Sequence, residues 1–220
     1  MKKMTAYSLV VMLVLFFLTS GCTRKIEPVF DEITDARDGQ IYKTVTLGDQ
    51  TWLAQNLNYE TDNSWCYGDE PANCKKYGRL YDWEAAMNAC PDGWNLASDE
   101  EWSTLIKFLD PKADPSNVTE SEIAGGMMKA TGTVEEETGP WKSPNKGASN
   151  SSGFSAEAGG ILYGDGTYQV LNMHAIYWTS TEYNANSVWF RILDYGVTDI
   201  YRDNSNITKN MGLSVRCIKD

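Results

Sequence analysis

Apolar positions along this chain follow three successive patterns. An uncharged apolar run from about Leu9 to Leu18 stands alone near the start. From residue 40 the spacing becomes structural. QIYKTVTL carries Ile41, Val45 and Leu47 among β-branched neighbours, and Gly48-Asp49 then turns the chain into QTWLAQNLNY, which predicts a β-hairpin. In RLYDWEAAMNAC, Leu80, Trp83, Met87 and Cys90 recur at helical intervals, so a helix is expected over 79–90, ended by Pro91-Asp92-Gly93. A second helix is signalled at Ser98. Ser98 and Glu101 have capping-box spacing, Asp99 and Glu100 suit the positive helix start, and Trp102, Leu105, Ile106 and Leu109 form an apolar stripe. Beyond Asp110 the texture turns to Gly, Ser, Thr, Asn and Pro with isolated aromatics, as in long loops punctuated by short strands. A hairpin is expected around Gly164-Asp165-Gly166, strands in AIYWTST, NSVWFRILDY and VTDIYR, and a final strand in GLSVRCIKD. In NSVWFRIL, Val188, Phe190 and Ile192 alternate with Trp189, Arg191 and Leu193, so one face reads as core and the other carries Trp and Arg. Early helices and late antiparallel strands make an α+β domain.

The first apolar run has another meaning. Lys2 and Lys3, the apolar stretch and the small residues Thr19-Ser20-Gly21 follow the order of an export signal, too short for a comfortable membrane span. Cys22, directly after them, resembles the acylated cysteine of a bacterial lipobox, with Thr19 where Leu is usual and Leu18 one place early. The expected organisation is therefore a signal peptide over 1–21, a lipidated Cys22 with a polar tether over 22–38, and one domain over 39–220. A lipid would anchor the chain to a membrane without spanning it, which places the protein in a bacterial cell envelope, at the outer membrane or cell surface.

Export also decides how the remaining cysteines read. Cys66, Cys74, Cys90 and Cys217 make an even number in an oxidising compartment and allow three pairings. Cys66 and Cys74 flank the turn-rich YGDEPAN, so their local pairing is the economical one and would leave Cys90 with Cys217. A zinc site is disfavoured, since no C-x-x-C spacing exists and His174, the sole histidine, is far from every cysteine.

Charge narrows the partners. There are 19 Lys and Arg against 30 Asp and Glu, a formal charge of -11. Removal of 1–21 takes Lys2 and Lys3 and no acid, leaving 17 against 30 and a charge of -13. Such a chain is not expected to bind nucleic acid. No cofactor, metal or catalytic residue is expected.

Longer motifs carry a resemblance. DWEAAMNACPDGWNLASDEEWSTLIKFL is similar to the two-helix half of a C-type-lectin-like domain. More closely, DGQIYKTVTLGDQTWLAQNLNY, CYGDEPANCKKYGRLYDWEAA, SSGFSAEAGG, YWTSTEY and GLSVRCIKD, in that order, resemble the Fibrobacter succinogenes major paralogous domain over roughly residues 35–220. The resemblance implies a lectin-like fold in which the first-helix cysteine pairs with one on the last strand, in agreement with Cys90 and Cys217. It implies no defined activity. The tripeptides of calcium-type sugar sites are absent, Glu70-Pro71-Ala72-Asn73 lying in the small cysteine loop instead, and no free cysteine pair remains for copper-dependent oxidase chemistry.

What is left for function is the aromatic content, eight Trp and twelve Tyr. Trp189, Arg191, Tyr195, Tyr201 and Arg202 fall on expected outward positions or loops of the late strands and are the candidate ligand contacts. Trp65, Tyr67 and Trp141 are weaker candidates. The expectation is a non-catalytic domain binding a polysaccharide or an envelope protein, in adhesion; the alternatives are a surface coat without specific ligand, or an enzyme of unrecognised type.

Overall fold

The computed structural model describes residues 26–220, so Cys22 and the apolar leader lie outside the described residues. The chain opens as an antiparallel meander of β1 (Val29–Thr34), β2 (Ile41–Leu47) and β3 (Gln50–Leu53). The β2–β3 hairpin stands where alternation placed it, turning through Gly48 at φ +64. β1 is a correction to the expected tether. Its residues pair with β2 from Val29 opposite Thr46 to Thr34 opposite Ile41, which makes them the edge of a sheet.

Next come β4 (Ser64–Trp65), a 3-10 turn and α1 (Pro71–Tyr77). The stretch between Cys66 and Cys74 is more than the turn its composition predicts: Pro71 starts a helix, where its missing N–H costs nothing. β5 (Leu80–Tyr81) and α2 (Trp83–Ala89) replace the single helix expected over 79–90. The Asp82 carboxylate accepts the Ala85 N–H at 2.7 Å and so fixes the helix start four residues late. The buried side chains of α2 are therefore Ala86 and Ala89, and Met87 is 40% exposed. β6 (Trp94–Leu96) leads to α3 (Asp99–Leu109), whose capping box and four buried apolar residues match the reading in full.

The later half is β7 (Thr119–Ser121), the short α4 (Ala124–Met128), the hairpin of β8 (Ile161–Leu162) and β9 (Tyr168–Gln169), then β10 (His174–Asn184), β11 (Ser187–Asp194), β12 (Ile200–Asp203), β13 (Leu213–Ser214) and β14 (Cys217–Lys219). Two larger sheets result, with orders β1-β2-β3-β14-β6 and β4-β5-β13-β10-β11-β12-β7. Only the β10–β13 pair within them is parallel among the described strands. The fold is α+β.

Core residues form two clusters. In one, the rings of Trp52, Trp102, Phe154 and Tyr177 meet at centroid distances of 5.1–6.2 Å. In the other, Tyr42, Tyr81, Trp178 and Phe190 pack with α2. Both disulfides are present, Cys66–Cys74 and Cys90–Cys217. The second closes 127 residues and, by loss of unfolded-chain entropy, contributes on the order of 4–5 kcal/mol.

Arg216 lies between these parts and is wholly buried. Its guanidinium donates to Asn56 Oδ1 at 2.9 Å, Leu53 O at 2.9 Å, Phe154 O at 2.5 Å and Ser155 O at 2.7 Å, and packs over the Phe154 ring. An Arg216→Lys variant, with one ammonium for four separated acceptors, is expected to lose about 3 kcal/mol of stability in a denaturant titration. Alkali should also unfold the protein. Burial pushes the Tyr42 phenol up to about 12 and moves Tyr81 and Tyr177 up as well. Above pH 10 the unfolded tyrosines lose protons that the folded ones keep, so stability falls with rising pH at about 1.4 kcal/mol per unit per group. Denaturation midpoints at pH 9 and pH 11 test this.

Candidate functional site

Antiparallel pairing puts Arg202 of β12 directly opposite Arg191 of β11, and Trp189 lies two residues from Arg191 on the same face. One end of that face is covered by α3. Arg191 is therefore not outward as expected; it is fully buried. Its Nη1 donates to Asp99 Oδ1 at 2.8 Å, Nη2 to Ser103 Oγ at 3.0 Å and Asp99 O at 3.2 Å, and Nε lies 2.8 Å from Glu120 Oε2. β11 is a central strand covered on both faces, so alternation alone could not tell this arginine from an exposed one.

Asp99 sits between two cations. Arg202 grips it through Nε at 2.9 Å and Nη2 at 2.6 Å, and Arg202 Nη1 donates to Pro115 O at 3.0 Å. Burial alone would raise the Asp99 carboxyl; hydrogen bonds and charge from Arg202 and Arg191 outweigh it and hold the group below its ordinary 3.8. Glu120 is also buried, and its Oε1 has no hydrogen-bond partner among the described residues.

Above this ionic base lies the surface. The Arg202 guanidinium is 3.3 Å from the centre of the half-buried Trp189 ring, and exposed Tyr183 meets that ring edge-on at 5.1 Å. Tyr183, Trp189 and Arg202 thus form one aromatic and guanidinium surface at the end of β10, β11 and β12. Beside it, Asp110, Lys112, Asp114 and residues 117–123 line a cavity of about 640 Å³, joined to Arg202 through its backbone bond to Val118 O at 2.8 Å. Flat π faces beside N–H donors suit sugar rings, which offer C–H faces and hydroxyls together.

The other candidates lie elsewhere. Tyr201 is on the opposite face, half-buried, with its hydroxyl 3.2 Å from Asp199 Oδ2. Tyr195 follows β11 and packs partly on the first core cluster. Trp65 and Tyr67 are half-buried, and the Tyr67 ring meets that of Tyr168 at 5.1 Å. Trp141 is corrected to core: it is wholly buried and its indole N–H donates to Ala156 O at 2.8 Å. His174 pairs with Asp194 at 2.8 Å. Among the described residues no group of three His, Cys, Asp or Glu side chains is placed to hold a metal ion.

Sequence reading missed Tyr183, although it ends the quoted YWTSTEY, and assigned Asp99 to capping alone. Glu120 gave no signal, standing in a stretch without periodicity.

Compared with known proteins, residues 45–219 match the family model described as the Fibrobacter succinogenes major domain. No curated protein and no solved structure matches the chain.

Removing the Glu120 carboxylate leaves a buried arginine short of one counter-charge, so Glu120→Ala is expected to cost about 3–5 kcal/mol by denaturant titration. Asp99 acts through pH. Its folded carboxyl stays ionised below 3.8, so its contribution is present above that pH and lost as acid protonates it. Asp99→Asn should lower stability at pH 6 and flatten the acid limb below pH 4; an unchanged limb would show that this carboxylate does not govern it.

Proposed function

The chain belongs to the Fibrobacter succinogenes major domain family, and on that premise we propose that the mature protein is a cell-envelope lipoprotein whose domain binds polysaccharide without catalysis. The Tyr183, Trp189 and Arg202 surface carries the reading. Its guanidinium is fixed by Asp99 and Pro115 before any ligand arrives, so little side-chain freedom is lost on binding. The lipobox-like Cys22 and the leader before it support an envelope address, and two disulfides suit an oxidising compartment. The lectin-like motifs of the sequence agree with a binding role, in adhesion. Net charge selects among ligands: a chain at -11, and lower once its leader is removed, favours neutral polymers over acidic ones.

The test is binding of the oxidised, leaderless protein to an array of neutral and acidic polysaccharides. Saturable binding to a neutral polymer is expected, and Tyr183→Ala and Trp189→Ala should each weaken it by about 1–2 kcal/mol, roughly 5–30-fold in Kd. Tyr183 is 55% exposed, so its variant should melt like the parent and separate binding from folding. Binding that neither variant alters would move the site elsewhere. A folded domain that binds no glycan would overturn the reading.

A further inference from the structure

We infer that the domain lies directly against the lipid surface that anchors it, with the β1 edge turned toward the bilayer. This rests on the reading of Cys22 as the acylated residue. The argument is one of reach. Were residues 22–38 all tether, the body could stand up to about 55 Å from its anchor. The structure removes most of that length. Residues 29–34 are paired along β2, and Ile26 already packs against the first core cluster. Three residues, 23–25, therefore join Cys22 to the folded body, and the four steps from Cys22 to Ile26 span at most about 14 Å when fully extended.

Within that reach, the part of the body nearest the anchor is the start of β1. It is the sheet edge, and its first two residues are apolar and exposed, Val29 by 65% and Phe30 by 59%. The tip of the Phe30 ring lies close over Gly153, where a Cβ would clash with it. Asp31 and Glu32 follow at once, both exposed, which limits the apolar contact to the anchor end of the strand. An apolar pair at the point where the chain leaves for the membrane, bounded by acids further on, fits the headgroup boundary and not deep insertion.

The test uses the full-length chain, acylated in a bacterial host and reconstituted in vesicles of phosphatidylethanolamine and phosphatidylglycerol. A benzophenone amino acid is placed at position 30 or, in the other sheet, at position 183. Light should attach phospholipid from position 30 and not from position 183. Inserting twelve Gly/Ser residues between Lys25 and Ile26 should abolish the adducts from position 30 while the protein stays with the vesicles. Adducts that survive the insertion, equal adducts from both positions, or a covalent dimer through position 30 in their place would each overturn the inference. Failure of the anchoring reading looks different: the intact protein would carry no acyl mass, and a Cys22→Ser chain would sediment with membranes like the parent, refuting both together.

Discussion

The buried guanidinium of Arg216 is the constraint on which the rest of the structure depends. Three segments distant in sequence meet at it: the end of β3, the stretch at 154–155, and the entry to the last strand, where Cys217, the residue after Arg216, holds the long disulfide. Asn56 extends the junction. Its Oδ1 accepts from both Arg216 and the Tyr177 hydroxyl, and its amide donates to Tyr77 O. A charge at zero exposure would be costly on its own, but here every contact is a short bond to a fixed acceptor, and the pull of Arg216 on Glu157 marks a carboxylate near enough to be felt.

The same solution recurs wherever the chain runs without regular structure. Between α4 and β8 some thirty residues contain no helix or strand, so their carbonyls have no ladder to join. Side chains add donors to the scattered backbone N–H bonds there. Lys129, whose ammonium burial pulls down to about 8, donates to Lys146 O, Asp194 O and Val197 O. Asn145 bonds Ala130 O and Gly132 O, Asn172 bonds Pro140 O, and Trp141 bonds Ala156 O. The irregular half is thus bonded along its main chain by polar groups placed inside it. The candidate surface stands on a related arrangement, since Asp99 ties buried Arg191 to Arg202 and so sets the plane in which Trp189 is stacked.

This explains which parts were legible in the sequence. The capping box of α3, the β2–β3 and β8–β9 hairpins and the local cysteine pair obey rules that operate within about ten residues. The start of α2 also follows a local rule, but Asp82 as cap competed with an apolar spacing that fitted Arg79 equally well. β1 could not be read because its partner strand, not its own pattern, makes it a strand. Arg191 and Trp141 misled for one reason: each is amphipathic, and only a distant acceptor decides whether it faces water or core. At the site, Trp189 was reached by alternation and Arg202 by its place on a late strand, whereas Glu120 and Asp99 matter through arginines roughly seventy to one hundred residues away in sequence.

The identity of those acceptors bears on how such a domain can diversify. Arg216, Lys129, Asn145 and Asn172 bond mainly to backbone carbonyls, which every residue type offers. A loop held through its main chain keeps its path when its outward side chains change, as at exposed Glu137 and Lys146. The aromatic surface lacks that freedom at its base, because Asp99 must remain an acid for both arginines, but Tyr183 on its rim is exposed and meets Trp189 edge-on. Side chains at the rim and in the loops can thus change at small cost to stability, while the buried cations keep the frame unchanged beneath.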